Sequence, residues 1–170
     1  MKRYSRAMVV TALLLLSVFQ VMAQKKEVKG YQVENKKSGL LLRPYEANGA
    51  EGIPIVVYEK YAWRCLTWEL TPAGSNLYAM RNYFTGKTFK ASGTANGSGM
   101  EQVRIHDSLS NQQWEFIPEE NGYYRIQVPR TDKVLTVDGD GVNEKVKLMP
   151  WKKSDGQLWK LLPKPEKFTG

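Results

Sequence analysis

Three tryptophans in one register constrain this chain more than any other feature. Trp68, Trp114 and Trp159 recur at intervals of about 45 residues, a period typical of repeat architectures. Each opens the same phrase, Trp-x-apolar-x-Pro. The copies are Trp68-Glu69-Leu70-Thr71-Pro72, Trp114-Glu115-Phe116-Ile117-Pro118 and Trp159-Lys160-Leu161-Leu162-Pro163. Alternation within the phrase predicts a strand with one buried face. The closing proline predicts the strand's end, because proline cannot donate to a ladder.

Other landmarks keep the same register. Tyr31-Gln32-Val33, Tyr78-Ala79-Met80 and Tyr124-Arg125-Ile126 start each repeat as apolar-x-apolar strands. Ser38-Gly39, Thr85-Gly86 and Thr131-Asp132 follow as hairpin turns, with Gly39, Gly86 and Asp132 expected in left-handed conformations. Leu42, Phe89 and Leu135 then return to the core. Short strand-like runs lie at 55–58, 102–105 and 146–149, separated by turns such as Ala95-Asn96-Gly97-Ser98-Gly99. The pattern predicts about twelve strands in an all-β domain, with repeats at about 30–74, 75–122 and 123–163. No repeat can bury its apolar face alone, so the three should close around one core with pseudo-threefold symmetry.

Composition narrows the chemistry. Hydrophobic residues make up 42% and charged residues 25%, which excludes a globally disordered chain. A single Cys excludes an internal disulfide or a four-cysteine zinc site, and a single His excludes any site needing two imidazoles. The chain opens with Lys2, Arg3 and Arg6, an apolar stretch to Leu16, and Val21-Met22-Ala23. This is the pattern of a secretory signal peptide over residues 1–23, cut after Ala23, leaving one domain over 24–170. The apolar run is about 16 residues, short of the roughly 20 that a bilayer span needs. With no Cys at the cut, a lipidated terminus is not expected. The expected product is secreted or periplasmic and not an integral membrane protein. The net charge of +8 falls once the basic leader is removed, and no recognition helix is visible, so no nucleic-acid partner is expected.

Residues before the tryptophans point further. Gln112-Gln113-Trp114 and Gln157-Leu158-Trp159 are Q-x-W motifs, the first preceded by Asn111, and Leu66-Thr67-Trp68 is a copy that has lost the Gln. With the tyrosine starts and the period, residues 30–163 resemble the ricin B-type lectin family. The resemblance implies a β-trefoil, a carbohydrate-binding role, tryptophans that fill the core and glutamines that satisfy buried backbone groups. It implies sugar pockets at other positions in each repeat: an acidic residue, a polar residue, an aromatic platform and an Asn. The acidic positions here hold Arg43, Lys90 and Thr136. The polar ones hold Val56, Gln102 and Lys147, the platforms Tyr58, Arg104 and Met149, and the Asn positions Cys65, Asn111 and Gly156. Every copy departs from the pattern.

A carboxylate accepts from two sugar hydroxyls, whereas Arg43 and Lys90 only donate. They either suit an anionic sugar, by charge-assisted bonds, or are plain surface residues. The candidate sugar-binding residues are therefore Lys90, Gln102, Arg104 and Asn111 of the second repeat, with Tyr58 and Arg43 of the first. The expected partner is a glycan or glycoprotein, acidic if the second-repeat pocket works, bound by a monomer. No catalytic residue, cofactor or metal is expected. His106 has no nucleophile elbow to serve. Asp138-Gly139-Asp140-Gly141 lacks the later ligands of a calcium loop, where Val142 and Met149 stand. Cys65 reads as a small core residue. The competing reading is a protein-interaction or inhibitor trefoil. Exposed aromatics at Tyr45, Tyr58, Trp63 or Trp151 favour the sugar reading, and a flat apolar patch favours the other.

Overall fold

The computed structural model of the chain describes residues 29–106 and 110–169. The expected signal peptide lies outside these residues. Twelve strands run in order: β1 (Lys29–Asn35), β2 (Leu41–Pro44), β3 (Ile55–Tyr58), β4 (Thr67–Pro72), β5 (Leu77–Asn82), β6 (Thr88–Ala91), β7 (Met100–Val103), β8 (Gln113–Pro118), β9 (Tyr123–Gln127), β10 (Lys133–Thr136), β11 (Lys147–Pro150) and β12 (Trp159–Pro163). All pairings are antiparallel. β1, β4, β5, β8, β9 and β12 close into a barrel, because β12 pairs with both β9 and β1. The hairpins β2–β3, β6–β7 and β10–β11 cover one end of it. This is a β-trefoil. Closure leaves the barrel no free edge.

The repeat landmarks explain the geometry. Tyr31 stands opposite Trp68 on one side and Pro163 on the other. Tyr78 stands between Trp114 and Pro72, and Tyr124 between Trp159 and Pro118. Residues directly opposite in an antiparallel pair share a face, so all three sets face the barrel interior. Trp68, Trp114 and Trp159 are at most 1% exposed. Leu42, Phe89 and Leu135 of the hairpins close the core above them. Trp68 Nε1 donates to Leu42 O at 2.9 Å and Trp159 Nε1 to Leu135 O at 3.0 Å. The hairpins are sewn to one another by Val146 N donating to Ile55 O (3.0 Å) and Met100 N to Val146 O (3.1 Å).

The Q-x-W glutamines clamp the loops after the hairpins. Gln112 Nε2 donates to Arg104 O and its Oε1 accepts from His106 N, both at 2.9 Å. Gln157 makes the same pair with Pro150 O and Lys152 N, both at 2.8 Å. In the first repeat Leu66 is fully buried in the same place and packs with Leu41 and Cys65. Two local expectations differ. Gly39 and Gly86 are left-handed (φ 67° each), but the third copy uses Arg130 (φ 62°) rather than Asp132. Val128-Pro129-Arg130-Thr131 is a turn closed by Thr131 N donating to Val128 O (3.2 Å). Proline at its second position fits a type II turn, the type that places a positive φ at the third, where Arg130 stands. The second hairpin's return strand is Met100–Val103, two residues earlier than the run expected at 102–105. Among the described residues, no helix is long and apolar enough to cross a membrane.

Candidate functional site

The hairpins carry the candidate residues, and their register decides which face each one meets. Arg43 stands opposite Val56, Lys90 opposite Glu101, and Thr136 opposite Lys147. The second repeat therefore holds one residue more between its return strand and its tryptophan than the others do. Counting back from Trp114 lands one residue late. The row of Val56 and Lys147 contains Glu101, and the row of Tyr58 and Met149 contains Val103. A one-residue slip in a strand exchanges its faces. Gln102 accordingly sits opposite Phe89, in the row of Val57 and Leu148, and is fully buried. Its Nε2 donates to Asn48 O at 2.9 Å and Ala50 O at 2.7 Å, pinning the β2–β3 loop of the first repeat.

The other second-repeat candidates have partners of their own. Lys90 pairs with Glu101 at 3.4 Å, and Arg104 with Glu51 at 2.7 Å. Asn111 is exposed. Among the described residues, no hydrogen bond joins any two of Lys90, Gln102, Arg104 and Asn111. The third repeat is closed. Thr136 is buried and accepts from Gln157 Nε2 (3.2 Å), and Lys147 turns to Asp138. Gly156 is packed so tightly beneath Val137 that any Cβ there would strike the Val137 carbonyl oxygen. An Asn cannot occupy that position without moving the backbone.

The first repeat does bring its candidates together. Arg43 is buried, and its Cζ lies 3.5 Å from the centre of the Tyr58 ring. Arg43 Nη2 donates to Asn143 Oδ1 (3.3 Å), from a left-handed residue of the third repeat (φ 67°). Its Nε is buried without a partner, and no carboxylate lies within ion-pair distance among the described residues. Tyr58 stacks on Trp63 (6.2 Å between centres, 26° between planes), and Trp63 stacks on Tyr61 (4.3 Å, 12°). Tyr61 also lies 6.4 Å from Tyr58 at 39°, so the three rings form a triangular cluster in which Trp63 stacks on Tyr61 and Arg43 lies against Tyr58; Tyr61 is the most exposed of them, at 42%.

The loop bearing this stack is fixed by four bonds. Gln32 Nε2 donates to Tyr61 O (2.7 Å), Thr67 Oγ1 to Trp63 O (3.1 Å), Leu66 N to Trp63 O (3.2 Å) and Thr169 N to Ala62 O (2.8 Å). The carboxyl-terminal tail thus straps the aromatic loop to the barrel. Tyr61 Oη donates to Glu59 Oε2 at 2.8 Å, and this bond to a carboxylate raises the phenol's pKa. Tyr61 and Asn143 are the residues that motif counting misses. A density signal was available for Tyr61, since Tyr58, Tyr61 and Trp63 crowd one short loop.

Aromatic faces can stack on the apolar C–H side of a pyranose, and an exposed carboxylate such as Glu59 accepts from hydroxyls. Beneath the stack, burial pushes the Cys65 thiol upward in pKa, with Arg43 pulling the other way. The thiol is therefore expected to resist a thiol-reactive disulfide reagent at about pH 8, reacting only as fast as the fold opens. Immediate labelling of the native protein contradicts this.

Residues 110–169 match the family model described as ricin-type beta-trefoil lectin domain-like. No curated protein sequence matches the chain. ThreeFoil, a designed 3-fold symmetric protein, is similar with a TM-score of 0.74 at 23% identity, over 78% of this chain and 97% of its own. The Macrolepiota procera ricin B-like lectin, solved in complex with lactose, gives 0.70 at 21% identity, over 83% of this chain and 99% of its own. An exo-beta-1,3-galactanase from Clostridium thermocellum gives 0.75 at 20% identity; the match covers 81% of this chain but only 30% of that enzyme. At these identities the likeness to the solved structures is one of fold.

Proposed function

We propose that this β-trefoil, whose residues 110–169 match the ricin-type lectin-like family model, is an exported, non-enzymatic carbohydrate-binding module of residues 24–170 whose working site is the first repeat. The observation that carries the reading is the solvent-facing stack of Tyr61, Trp63 and Tyr58, backed by the buried Arg43. The loop that presents the aromatic surface is held by backbone bonds and by the tail, which lowers the cost of ordering it on binding. A pyranose lays its C–H face on the plate, and Glu59 accepts from its hydroxyls. Family likeness supports the glycan partner in general terms. The charge argument for an acidic sugar weakens at Lys90 and Arg104, because Glu101 and Glu51 already compensate them. The Arg104–Glu51 pair is exposed and contributes little to stability, whereas Lys90–Glu101 is half-buried.

The test is a glycan array on the protein, followed by calorimetry with the best neutral and best acidic ligand. Replacing Tyr61 and Trp63 together by Ala is expected to weaken binding at least about tenfold while the fold is kept, since stacking on aromatic faces supplies that much discrimination. Replacing Lys90 and Arg104 by Ala should leave binding unchanged. Loss in the second variant with retention in the first moves the site to the second repeat. No binding to any glycan defeats the proposal.

A further inference from the structure

The barrel has a second end, opposite the hairpins, and it is hollow. A cup of about 380 Å³ opens there, ringed by Tyr31, Tyr78 and Tyr124 and floored by Leu70, Phe116 and Leu161. These are the starting tyrosine and the central apolar residue of each repeat phrase, so the cup takes one wall from every repeat. Tyr78 meets Phe116 edge-on (5.3 Å, 77°), and Phe116 meets Tyr124 likewise (6.2 Å, 67°). Pro72 and Pro118 shape the lip, and the exposed Asn76 supplies one amide at the rim. The cup shares no residue with the aromatic stack of the first repeat.

Two properties mark this as a place for a ligand and say which kind. First, no charged side chain lines the cup, although a quarter of the chain is charged. An ion entering it would lose water and gain no counter-charge, so the cup selects a neutral occupant. Second, the hydroxyls of Tyr31, Tyr78 and Tyr124 make no hydrogen bond among the described residues. The three residues are half-buried and their hydroxyls stand at the open mouth above one apolar floor, where they can donate to or accept from a ligand in place of water. We propose that the barrel mouth binds a small neutral ring compound, its apolar body on Leu70, Phe116 and Leu161 and its hydroxyl or carbonyl among the tyrosine hydroxyls. The volume lies at the low end of the range of roughly 300–1,000 Å³ for small-molecule sites, which favours one or two fused rings over a long chain. Sugar binding at the first repeat neither requires this site nor excludes it.

The probes are 2-naphthol, which is neutral, and 2-naphthoate, which places a carboxylate on the same ring system. Titration followed by fluorescence should give saturable one-to-one binding of 2-naphthol, with 2-naphthoate at least about tenfold weaker because its charge goes unpaired in the cup. Leu161→Trp fills the floor and should weaken 2-naphthol binding at least about tenfold. Folding of that variant is checked by near-ultraviolet circular dichroism. Should it fail to fold, the variant carrying Tyr78→Phe and Tyr124→Phe keeps both rings, removes two hydroxyls and should weaken 2-naphthol about three- to tenfold. Binding that is not saturable, equal affinity for the two probes, or affinity unchanged in the folded variants overturns the proposal. Glycan binding should be untouched in every folded variant, so failure here leaves the sugar-site reading to its own experiment.

Discussion

Replacing Trp68 or Trp159 by alanine is expected to cost about 3–5 kcal/mol of unfolding free energy, measured by urea denaturation. Both side chains are fully buried in the shared core, and a cavity at the centre of three interlocked repeats has little freedom to collapse. The sharper outcome concerns phenylalanine. Trp68→Phe and Trp159→Phe each remove an indole donor and strand a buried carbonyl, that of Leu42 or Leu135. Trp114 breaks the symmetry: its Nε1 is buried with no partner among the described residues, and Phe89 stacks on its ring at 4.9 Å and 29° instead. Trp114→Phe therefore loses no hydrogen bond and relieves an unsatisfied donor. It should be milder than the other two phenylalanine variants by about 1–2 kcal/mol. Equal phenylalanine losses at all three positions would contradict the asymmetry at Trp114, and an alanine loss below about 1 kcal/mol at Trp68 would contradict a core built on these tryptophans.

The fold was legible because its determinants repeat. Strand alternation and a closing proline are each weak signals, but three copies in register leave few alternatives, and the tyrosine, tryptophan and proline of the copies meet across the barrel as cross-strand partners. The site was less legible, and the reason is the period of a strand. Faces alternate every residue, so one extra residue before Trp114 exchanged Gln102 for Glu101 without disturbing any motif. Gln102 then serves the fold, as a donor to the loop of another repeat. Arg43 and Tyr58 were found because the first repeat keeps the length that the tryptophan count assumes. Tyr61 lies in a loop, where no periodicity reports orientation, and its place against Trp63 depends on bonds from Gln32 and Thr169 that are remote in sequence.

Asn82→Ala is expected to cost about 3 kcal/mol, a large loss for a polar substitution. Asn82 is fully buried and works in two directions. Its Oδ1 accepts from Phe84 N (3.1 Å) and Thr85 N (3.2 Å), holding the turn that follows β5. Its Nδ2 donates to Cys65 O at 2.9 Å, holding the 3-10 turn Arg64–Leu66 beside Trp63. Alanine strands all three backbone groups, and leaving a buried group unpaired costs more than a hydrogen bond adds. Asn35 does the same for Gly156 O (3.0 Å) and for Lys37 N and Ser38 N (3.2 and 3.3 Å). The third copy has Val128, whose turn closes instead through Thr131 Oγ1 donating to Val128 O (2.8 Å). The device is thus present twice, and Asn35→Ala provides a matched comparison. Both variants should lose similar stability. Only Asn82→Ala loosens the loop that carries the aromatic stack, so below its unfolding midpoint it should also bind glycan more weakly, whereas Asn35→Ala should not. A loss below about 0.5 kcal/mol in both, within the range of ordinary surface substitutions, would show that the turns hold without their asparagines.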